Sequence, residues 1–588
     1  MKLSDYVLKY LAERGIKHVF LITGSAVANL VDSFRNIKEI KYICTQHEQA
    51  AAMAAEAYSR LTKNLGAAMA TSGPGATNLI TGICCAFFDS IPVIYITGQV
   101  NTYESKREKK VRQVGFQETD IVSVVKPITK YAVLVDDPKK IKFYLDQAIY
   151  LAKSGRPGPV LLDLPMDVQR SEINPEELEG FIPSDAGGSL TATDYKINQI
   201  IDLLKAAQRP ILLFGAGVKL ANAEKEAGQL INKLNIPFTL SWGAIDLAGH
   251  DHPLFAGTFG VSAGRPGNFA VANADLILAV GSRLDTRQTG GKPETFAREA
   301  KKIIVDIEAA EIFKDRGLKP DLGIVADAKE FIGRLLGGLN NFRTPNTSEW
   351  LKKIKIWKDK YPLCPPACAK QSAKVNMYYF MKILAEELKS DDIIITDTGS
   401  NLIWTLQGFC VKDGQRLFSA FGNSPMGYSL PAAIGASIAL NNKPIICIIG
   451  DGGLQMNIQE LQTIYHYKLP IKIFVINNNA YGLIKQFQDI WFNSHYEAAC
   501  PEKGCSFPDF LKVGQAYGLK TEMINNHEEL RSKLKKALAS NEAILCNVEA
   551  RDDEKIIPKL EFGKPIEDAA PLLDRDEFKK EMIIKPLD

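Results

Sequence analysis

The sequence predicts a parallel α/β protein in three segments, and three observations predict it. Apolar runs of strand length alternate with amphipathic stretches of helix length along most of the chain; NLGAAMATS, SIPVIYITG, RPILLFGAG, DDIIITDTG and PIKIFVINN are examples. These runs are apolar throughout rather than alternating, as in strands covered by helices on both faces. Two polar linkers, SEINPEELEGFIPSDAGGSL (171–190) and LGGLNNFRTPNTSEW (336–350), divide the 588 residues into about 1–180, 190–340 and 350–588. Apolar residues make up 46% and charged residues 24%, which excludes disordered and collagenous chains. With 71 basic against 68 acidic residues and no block of like charge, nothing points to nucleic acid or a membrane surface as partner. No run approaches the ~18 apolar residues of a spanning helix.

The start, MKLSDYVLKYLAERGIKHVF, lacks a secretory apolar region and reads as Ser4 capping a helix whose apolar face includes Val7, Leu8 and Leu11. A cytoplasmic protein is expected. The ten cysteines include Cys364-x3-Cys368 and Cys500-x4-Cys505, but neither pair has further cysteines or histidines at zinc spacing, so free thiols are expected.

The last third holds the most informative stretch, KPIICIIGDGGLQMNIQELQTIYHYKLPIKIFVINNNAYGLIKQFQ. It parses as strand (444–449), loop, helix (about 457–467), strand (470–476), loop and helix, a βαβ unit with parallel strands. Asp451 and Asn478 each follow a strand, at the carboxyl ends where open α/β sheets bind ligands. Gly450, Gly452 and Gly453 allow close approach of backbone to a ligand. A carboxylate, an amide oxygen and backbone carbonyls facing a diphosphate suit magnesium. A GDG by itself reads as a tight turn. The Asn 27 positions after the Asp makes the segment resemble the thiamin diphosphate (ThDP) binding motif.

That resemblance implies a carboxylate on the far side of ThDP. YICTQHEQAAAMAAEAYSR matches the segment that carries it and places it at Glu48; without the other motif, Glu48 would read as a first-turn charge on a helix. TSGPGATNLITGI, with Gly73, Thr77 and Asn78, matches the loop on the aminopyrimidine side. The chain as a whole resembles the acetolactate synthase branch of ThDP enzymes. This implies three doubly wound parallel-sheet domains: an N-terminal pyrimidine domain (1–180), a central domain (190–340) and a diphosphate domain (350–560), followed by a tail (561–588). It implies Phe116, Gln117 and Met426 in the active site, Met426 as the buttress of a bent cofactor, and Thr398, Gly399, Ser400, Asn401, Tyr481 and Gly482 against ThDP. It adds the Ala480 carbonyl to Asp451 and Asn478 as magnesium ligands. Ser400-Asn401 stand where synthases commonly have Gln-His. Active sites of this family form between chains, so a homodimer or homotetramer is implied.

The central segment carries LLFGAGV, GSRLDTRQTGG, VDIEAAEI and VADAKEF, an ordered set resembling the FAD domain of these synthases. Arg156, Gly215, Gly217, Arg283, Asp285, Asp306 and Asp327 are the flavin-binding candidates the resemblance carries over, with a domain that kept its fold but no flavin as the alternative. In this branch the flavin is largely structural. The implied chemistry is decarboxylation of pyruvate on ThDP and transfer of the two-carbon unit to a carbonyl acceptor. Three residues bear on the acceptor. Phe487 replaces a Trp that favours 2-oxobutyrate, Met166 replaces a Lys near the substrate channel, and Arg287 stands where a guanidinium binds the acceptor carboxylate. Acetolactate synthesis from two pyruvates is the leading reading. A carboligase acting on a nucleotide-linked keto sugar and a flavin-dependent pyruvate oxidase are the alternatives. A simple decarboxylase would carry paired active-site histidines, and of the seven here only His250 and His252 lie close, in the central segment.

Overall fold

The computed structural model describes residues 1–183, 193–340, 342–370 and 373–587; the end of the first linker, 184–190, lies outside them. Three sheets of six strands follow one another along the chain. The first contains β1 (His18–Leu21), β2 (Lys41–Cys44), β3 (Gly66–Ala70), β4 (Val93–Gln99), β5 (Tyr131–Leu134) and β6 (Val160–Pro165). The second contains β7 (Pro210–Phe214), β8 (Phe238–Leu240), β9 (Phe255–Thr258), β10 (Leu276–Val280), β11 (Lys301–Asp306) and β12 (Leu322–Val325). The third contains β13 (Ile393–Thr396), β14 (Arg416–Phe418), β15 (Ile445–Gly450), β16 (Ile471–Asn477), β17 (Lys520–Ile524) and β18 (Ile544–Glu549). All neighbouring strands in the three sheets pair in parallel. The central strands are buried along all or nearly all of their length, as their unbroken apolar runs require.

The first sheet runs β2-β1-β3-β4-β6-β5 and the third β14-β13-β15-β16-β18-β17, the same order repeated. The second runs β12-β11-β10-β7-β8-β9. The second order reverses direction once, between β7 and β10; the first and third reverse between β1 and β3 and between β13 and β15, and again at their β6-β5 and β18-β17 edges. Crevices open beyond the strand ends at such reversals, and ligands bind there. The loops at these points are the Gly-rich segments singled out above: TSGPGATN after β3, GAG and GSR after β7 and β10, DTGSN and GDGG after β13 and β15.

The N-terminal and C-terminal sheets meet through two helices of small residues, Glu48–Thr62 and Ser429–Ala439. A Cβ on Gly435 would lie 2.0 Å from the Ala54 carbonyl oxygen, so only glycine allows this approach. Beside it, Arg60, partly buried, pairs with Glu56 and with Asp89 (2.5 Å), and the Tyr428 hydroxyl donates to Glu56. The Asp89 carboxylate accepts from Phe421 N (2.9 Å) and Gly422 N (2.7 Å) of the third unit. Satisfying each charge at this depth is what makes its burial tolerable.

Three features differ from the expectations. Ser4 does not cap the first helix, which runs Leu3–Glu13 from Lys2. Leu3 N instead donates to Ser171 O (2.9 Å), a tertiary partner in place of a cap, and Ser4 is buried against Ser33 (2.9 Å), while Val7, Leu8 and Leu11 are buried. No loop separates β15 from its helix: helix starts at Asp451, and breaks between Met456 and Glu460, where Asn457 Nδ2 donates to Gly427 O (2.8 Å). The two ends of segment 336–350 are not linker, since helix Ala328–Gly338 runs into it and Trp350, on helix Ser348–Lys360, is buried. Residues 561–587 pack back on the central unit: Ile566, Phe578, Met582 and Ile584 join Phe269, Trp350 and Trp357 in one core.

Candidate active site

Asp451 opens its helix with Gly450 at the cap, so the carboxylate sits in the first turn beyond β15. It is buried, accepting from Gly452 N (2.7 Å) and Ala480 N (3.4 Å). Burial pushes it up to about 7, against these backbone donors, which pull it down. A buried carboxylate so placed favours a cation beside it. The Asn478 carboxamide supplies the test. Its oxygen faces only acceptors; with its nitrogen turned in, the amide would instead donate to Asp451 Oδ2 (3.3 Å) and Ala480 O (2.9 Å). With its oxygen inward, three oxygens converge with no proton between them, the hard donor set that Mg2+ takes with phosphate oxygens. Asp451, Asn478 and Ala480 therefore fit a magnesium ion.

The walls of this cradle are glycines because nothing larger fits. A Cβ on Gly452 would lie 2.2 Å from the Tyr481 ring and 3.0 Å from Met426 Cε. One on Gly482 would lie 2.6 Å from Asn478 Nδ2 and 3.0 Å from Ser400 Oγ, and one on Gly450 3.1 Å from Asn401 Oδ1. The structure thus gathers Met426, Gly450, Asp451, Gly452, Asn478, Ala480, Tyr481, Gly482, Ser400 and Asn401 at one reversal point. Gly399, at φ +101°, turns the chain into helix Ser400–Gly408, whose free N–H groups suit an anion.

Asp397 was not singled out from the sequence, yet it shapes this half. It is buried, and its carboxylate accepts from Thr398 N (2.9 Å), Gly427 N (2.8 Å) and Tyr428 N (3.2 Å), fixing the turn that follows Met426. Burial raises it to about 7 against those bonds. A Cβ on Gly453 would strike it at 2.2 Å. Thr398 bonds Ser424 at 2.7 Å.

In the N-terminal unit, Glu48 is the first residue of its helix and is buried. Asn78 Nδ2 donates to Glu48 Oε2 (2.9 Å), and a Cβ on Gly75 would approach Oε1 at 3.3 Å. Thr77 Oγ1 closes the same turn on Pro74 O (3.1 Å). The turn before Glu48 is held from the C-terminal unit: buried Glu460 accepts from Gln46 N (3.0 Å) and Thr463 Oγ1 (2.7 Å), and burial raises its carboxyl to about 7. Gly73, at φ +63°, backs onto Gln117, whose carbonyl oxygen lies 2.9 Å from where a Cβ would be. Phe116 is 85% exposed. Glu48 bonds to Asn78 and Asp451 to the Gly452 and Ala480 amides, so each carboxylate is held by its own unit, while the two units are joined through other residues such as Glu460 and Gln46.

The central reversal point opens a cleft of about 440 Å³, lined among others by Arg156, Gly217, Arg283, Asp285, Arg287, Asp306 and Asp327. That size suits a cofactor, where roughly 300–1,000 Å³ is usual. Gly215 and Gly217 let the first loop lie on the second: their Cβ atoms would meet Gly281 O at 2.1 Å and Gly281 Cα at 2.7 Å. Arg283 lines the cleft with a buried Nε that has no hydrogen-bond partner among the described residues. Its Nη1 donates to Phe88 O (3.1 Å). Not every candidate is free for a ligand. Arg156 is paired with Glu308 (2.8 Å) and Glu311 (3.1 Å). Asp285 and Asp327 cap helices, accepting from Arg287 N (2.9 Å) and Lys329 N (2.9 Å). Of the acceptor candidates, Arg287 is exposed on the cleft wall, Met166 begins helix Met166–Arg170 beyond β6, and Phe487 lies half exposed against Trp491 and Phe492.

The ten cysteines are free thiols, and no helix of the described residues is long and apolar enough to cross a membrane. Three family models match: the thiamine pyrophosphate enzyme N-terminal TPP binding domain over residues 1–124, the central domain over 197–335, and the C-terminal TPP binding domain over 397–548. The acetolactate synthase large subunit of Cyanidium caldarium is 35% identical over 576 residues, covering 95% of this chain and 94% of its own. The probable acetolactate synthase large subunit of Methanocaldococcus jannaschii is 35% identical, covering 93% and 92%. The acetolactate synthase large subunit of Lactococcus lactis is 32% identical, covering 95% and 94%. The chain belongs to the thiamine pyrophosphate enzymes, in the acetolactate synthase family. It is a ThDP-dependent enzyme that forms C–C bonds.

Proposed function

We propose that this member of the family is an acetolactate synthase that condenses two molecules of pyruvate, with ThDP held by Mg2+. The observation that carries this reading is the oxygen set of Asp451, Asn478 and Ala480 at one reversal point, in a chain that also presents a buried Glu48 oriented by Asn78. ThDP, when bound, supplies the carbon nucleophile and the electron sink. The chain supplies the rest. Asp451, Asn478 and the Ala480 carbonyl hold the metal and through it the diphosphate, with the N–H groups at Ser400 assisting. Glu48 holds a proton at its carboxyl toward the aminopyrimidine, and Asn78 fixes the carboxyl's orientation. Met426 props the cofactor from the Gly452 side.

FAD in the central cleft is part of the proposal. The glycine-lined loops and the unpartnered Arg283 Nε support it. So is a homo-oligomer with Glu48 of one copy serving the metal half of another. The exposed Phe116 and the exposed aromatics Trp491, Phe492 and Phe562 support a second copy covering this region. The free thiols suit a reducing cytoplasm. The relatives above, all acetolactate synthases, do not favour the sugar-acceptor alternative.

The test is product analysis after incubation with pyruvate, ThDP and Mg2+, alone and with 2-oxobutyrate. Acetolactate is expected as the main product from pyruvate. Phe487 has no indole to pack on an ethyl group, and a methylene is worth only ~1–3 kcal/mol even in a good site, so little preference for 2-oxobutyrate is expected. Oxygen consumption stoichiometric with pyruvate would point to the oxidase instead.

A further inference from the structure

The segment between β4 and helix Ile121–Val125 spans residues 100–120 and carries only one short helical turn, Thr102–Glu104. Its middle is KREKKVR, and Val111, Val114 and Phe116 are exposed, so apolar burial does not hold it. One side chain does much of that work. Glu118 is buried, and its Oε1 accepts from Lys106 N (2.6 Å) and Ser105 Oγ (3.0 Å) while Oε2 accepts from Val114 N (2.9 Å). Its own N–H donates to Gly115 O (3.1 Å), and its carbonyl accepts from Gln113 Nε2 (2.9 Å). The carboxylate thus ties the start of the loop to its end, with Phe116 and Gln117 directly before the knot. Gln117 sits at φ +63°, a conformation a non-glycine residue keeps only when its surroundings impose it. On the far side, Gln99 Nε2 donates to Thr119 O (2.8 Å), so the pair is braced from both ends.

We propose that Glu118 is a positioning residue, whose carboxylate holds loop 105–118 in the shape that presents Phe116 and Gln117 to the substrate. The proposal rests on the reading that this pair belongs to the active site. Burial by itself would raise the Glu118 carboxyl, but the Val114 and Lys106 amides outweigh it and hold it below the usual carboxylate range, so it stays ionised at neutral pH. An amide at this position keeps the size but offers one acceptor oxygen where the loop supplies donors to both.

The test uses the full chain with ThDP and Mg2+. Glu118→Gln, Glu118→Asp, Gln117→Ala, Phe116→Ala and Gln117→Ala/Glu118→Gln are compared with the unmodified protein. Two readouts are taken: steady-state turnover on pyruvate, and the rate of tryptic cleavage within 106–112, where five Lys and Arg residues lie. Glu118→Gln is expected to lower kcat by roughly 10- to 100-fold, the scale of an ångström-sized misplacement. Cleavage should quicken by about tenfold as the loop opens more often. Thermal unfolding should stay close to that of the unmodified protein, and Glu118→Asp should fall between. In the Gln117→Ala background, Glu118→Gln should add less than about a twofold loss, since the two act through one element. Unchanged turnover with faster cleavage would overturn the proposal, because the loop would then be held without positioning anything. So would lost turnover with unchanged cleavage. Full activity of both Phe116→Ala and Gln117→Ala would instead overturn the reading beneath it.

Discussion

Replacing Asp163 by Asn should change the sign of its effect on stability between pH 3.5 and pH 8. Asp163 lies in β6 with 2% of its surface exposed, accepting from Thr97 Oγ1 (2.7 Å) and Gln99 Nε2 (2.9 Å). Burial raises its carboxyl from 3.8 to about 7, and the two hydrogen bonds only partly oppose this. Below about pH 4 both folded and unfolded states carry the proton. Between about 4 and 7 the folded state keeps it and the unfolded state does not, so this group's contribution to stability falls as pH rises through that window. The shift corresponds to about 4 kcal/mol as an upper bound. Asn does not ionise, so the variant lacks this slope. It does turn an amide nitrogen toward the Gln99 nitrogen, losing one hydrogen bond, about 1 kcal/mol. The variant should therefore be less stable than the unmodified protein at pH 3.5, where little of the penalty has developed, and more stable at pH 8, with the curves crossing at about pH 4.5. Thermal unfolding midpoints of both proteins from pH 3.5 to 8.5 measure this. Taking the difference cancels the other buried acids, among them Glu460 and Glu554, which rise to about 7 as well. Curves that stay parallel across the range would refute the reasoning.

Three further outcomes are expected. Glu48→Gln should abolish turnover while ThDP still binds, since Gln keeps the bond to Asn78 but carries no exchangeable acid proton; residual turnover in a stopped assay checks it. Asp451→Ala should weaken Mg2+-dependent ThDP binding by at least roughly tenfold, measured by calorimetry, because one hard anionic ligand leaves a site that accepts few substitutes. Gly217→Val should yield colourless protein if the unmodified protein is yellow, because its Cβ would start 2.7 Å from Gly281 Cα and lift the loop off the cleft; absorbance near the flavin bands reads this out.

Much of this architecture was legible because it rests on local signals. Unbroken apolar runs announced buried parallel strands, and Gly-rich turns marked the strand ends where the sheets reverse. Asp451 and Asn478 were visible because each follows a strand within one βαβ unit. What stayed hidden depends on partners far along the chain. Glu460 reads as an ordinary helical charge, yet it holds a turn 414 residues away. Asp397 and Glu118 look like loop acids, and only the fold shows that each binds several amides. Ser4 has the sequence of a cap, but Ser171 O already supplies the partner for Leu3 N. The cap rule assumes that a helix end faces water, and here it faces another strand of the chain.

The return of residues 561–587 to the central unit has a mechanical consequence. The C-terminal unit is entered from the central one through helix Ser348–Lys360 and leaves it again toward the same place. Both connections are fastened at one spot: Glu581 accepts from Lys353 Nζ (2.7 Å), Lys360 Nζ (2.7 Å) and Trp357 Nε1 (2.8 Å). Ingoing and outgoing strands thus share a single clasp. A hinge needs one loose connection, and here there are two, tied together. Swinging the C-terminal unit away from the central one would have to open the clasp or stretch both leads at once, so the spacing between the metal half of the site and the central cleft is set by the chain's own stitching.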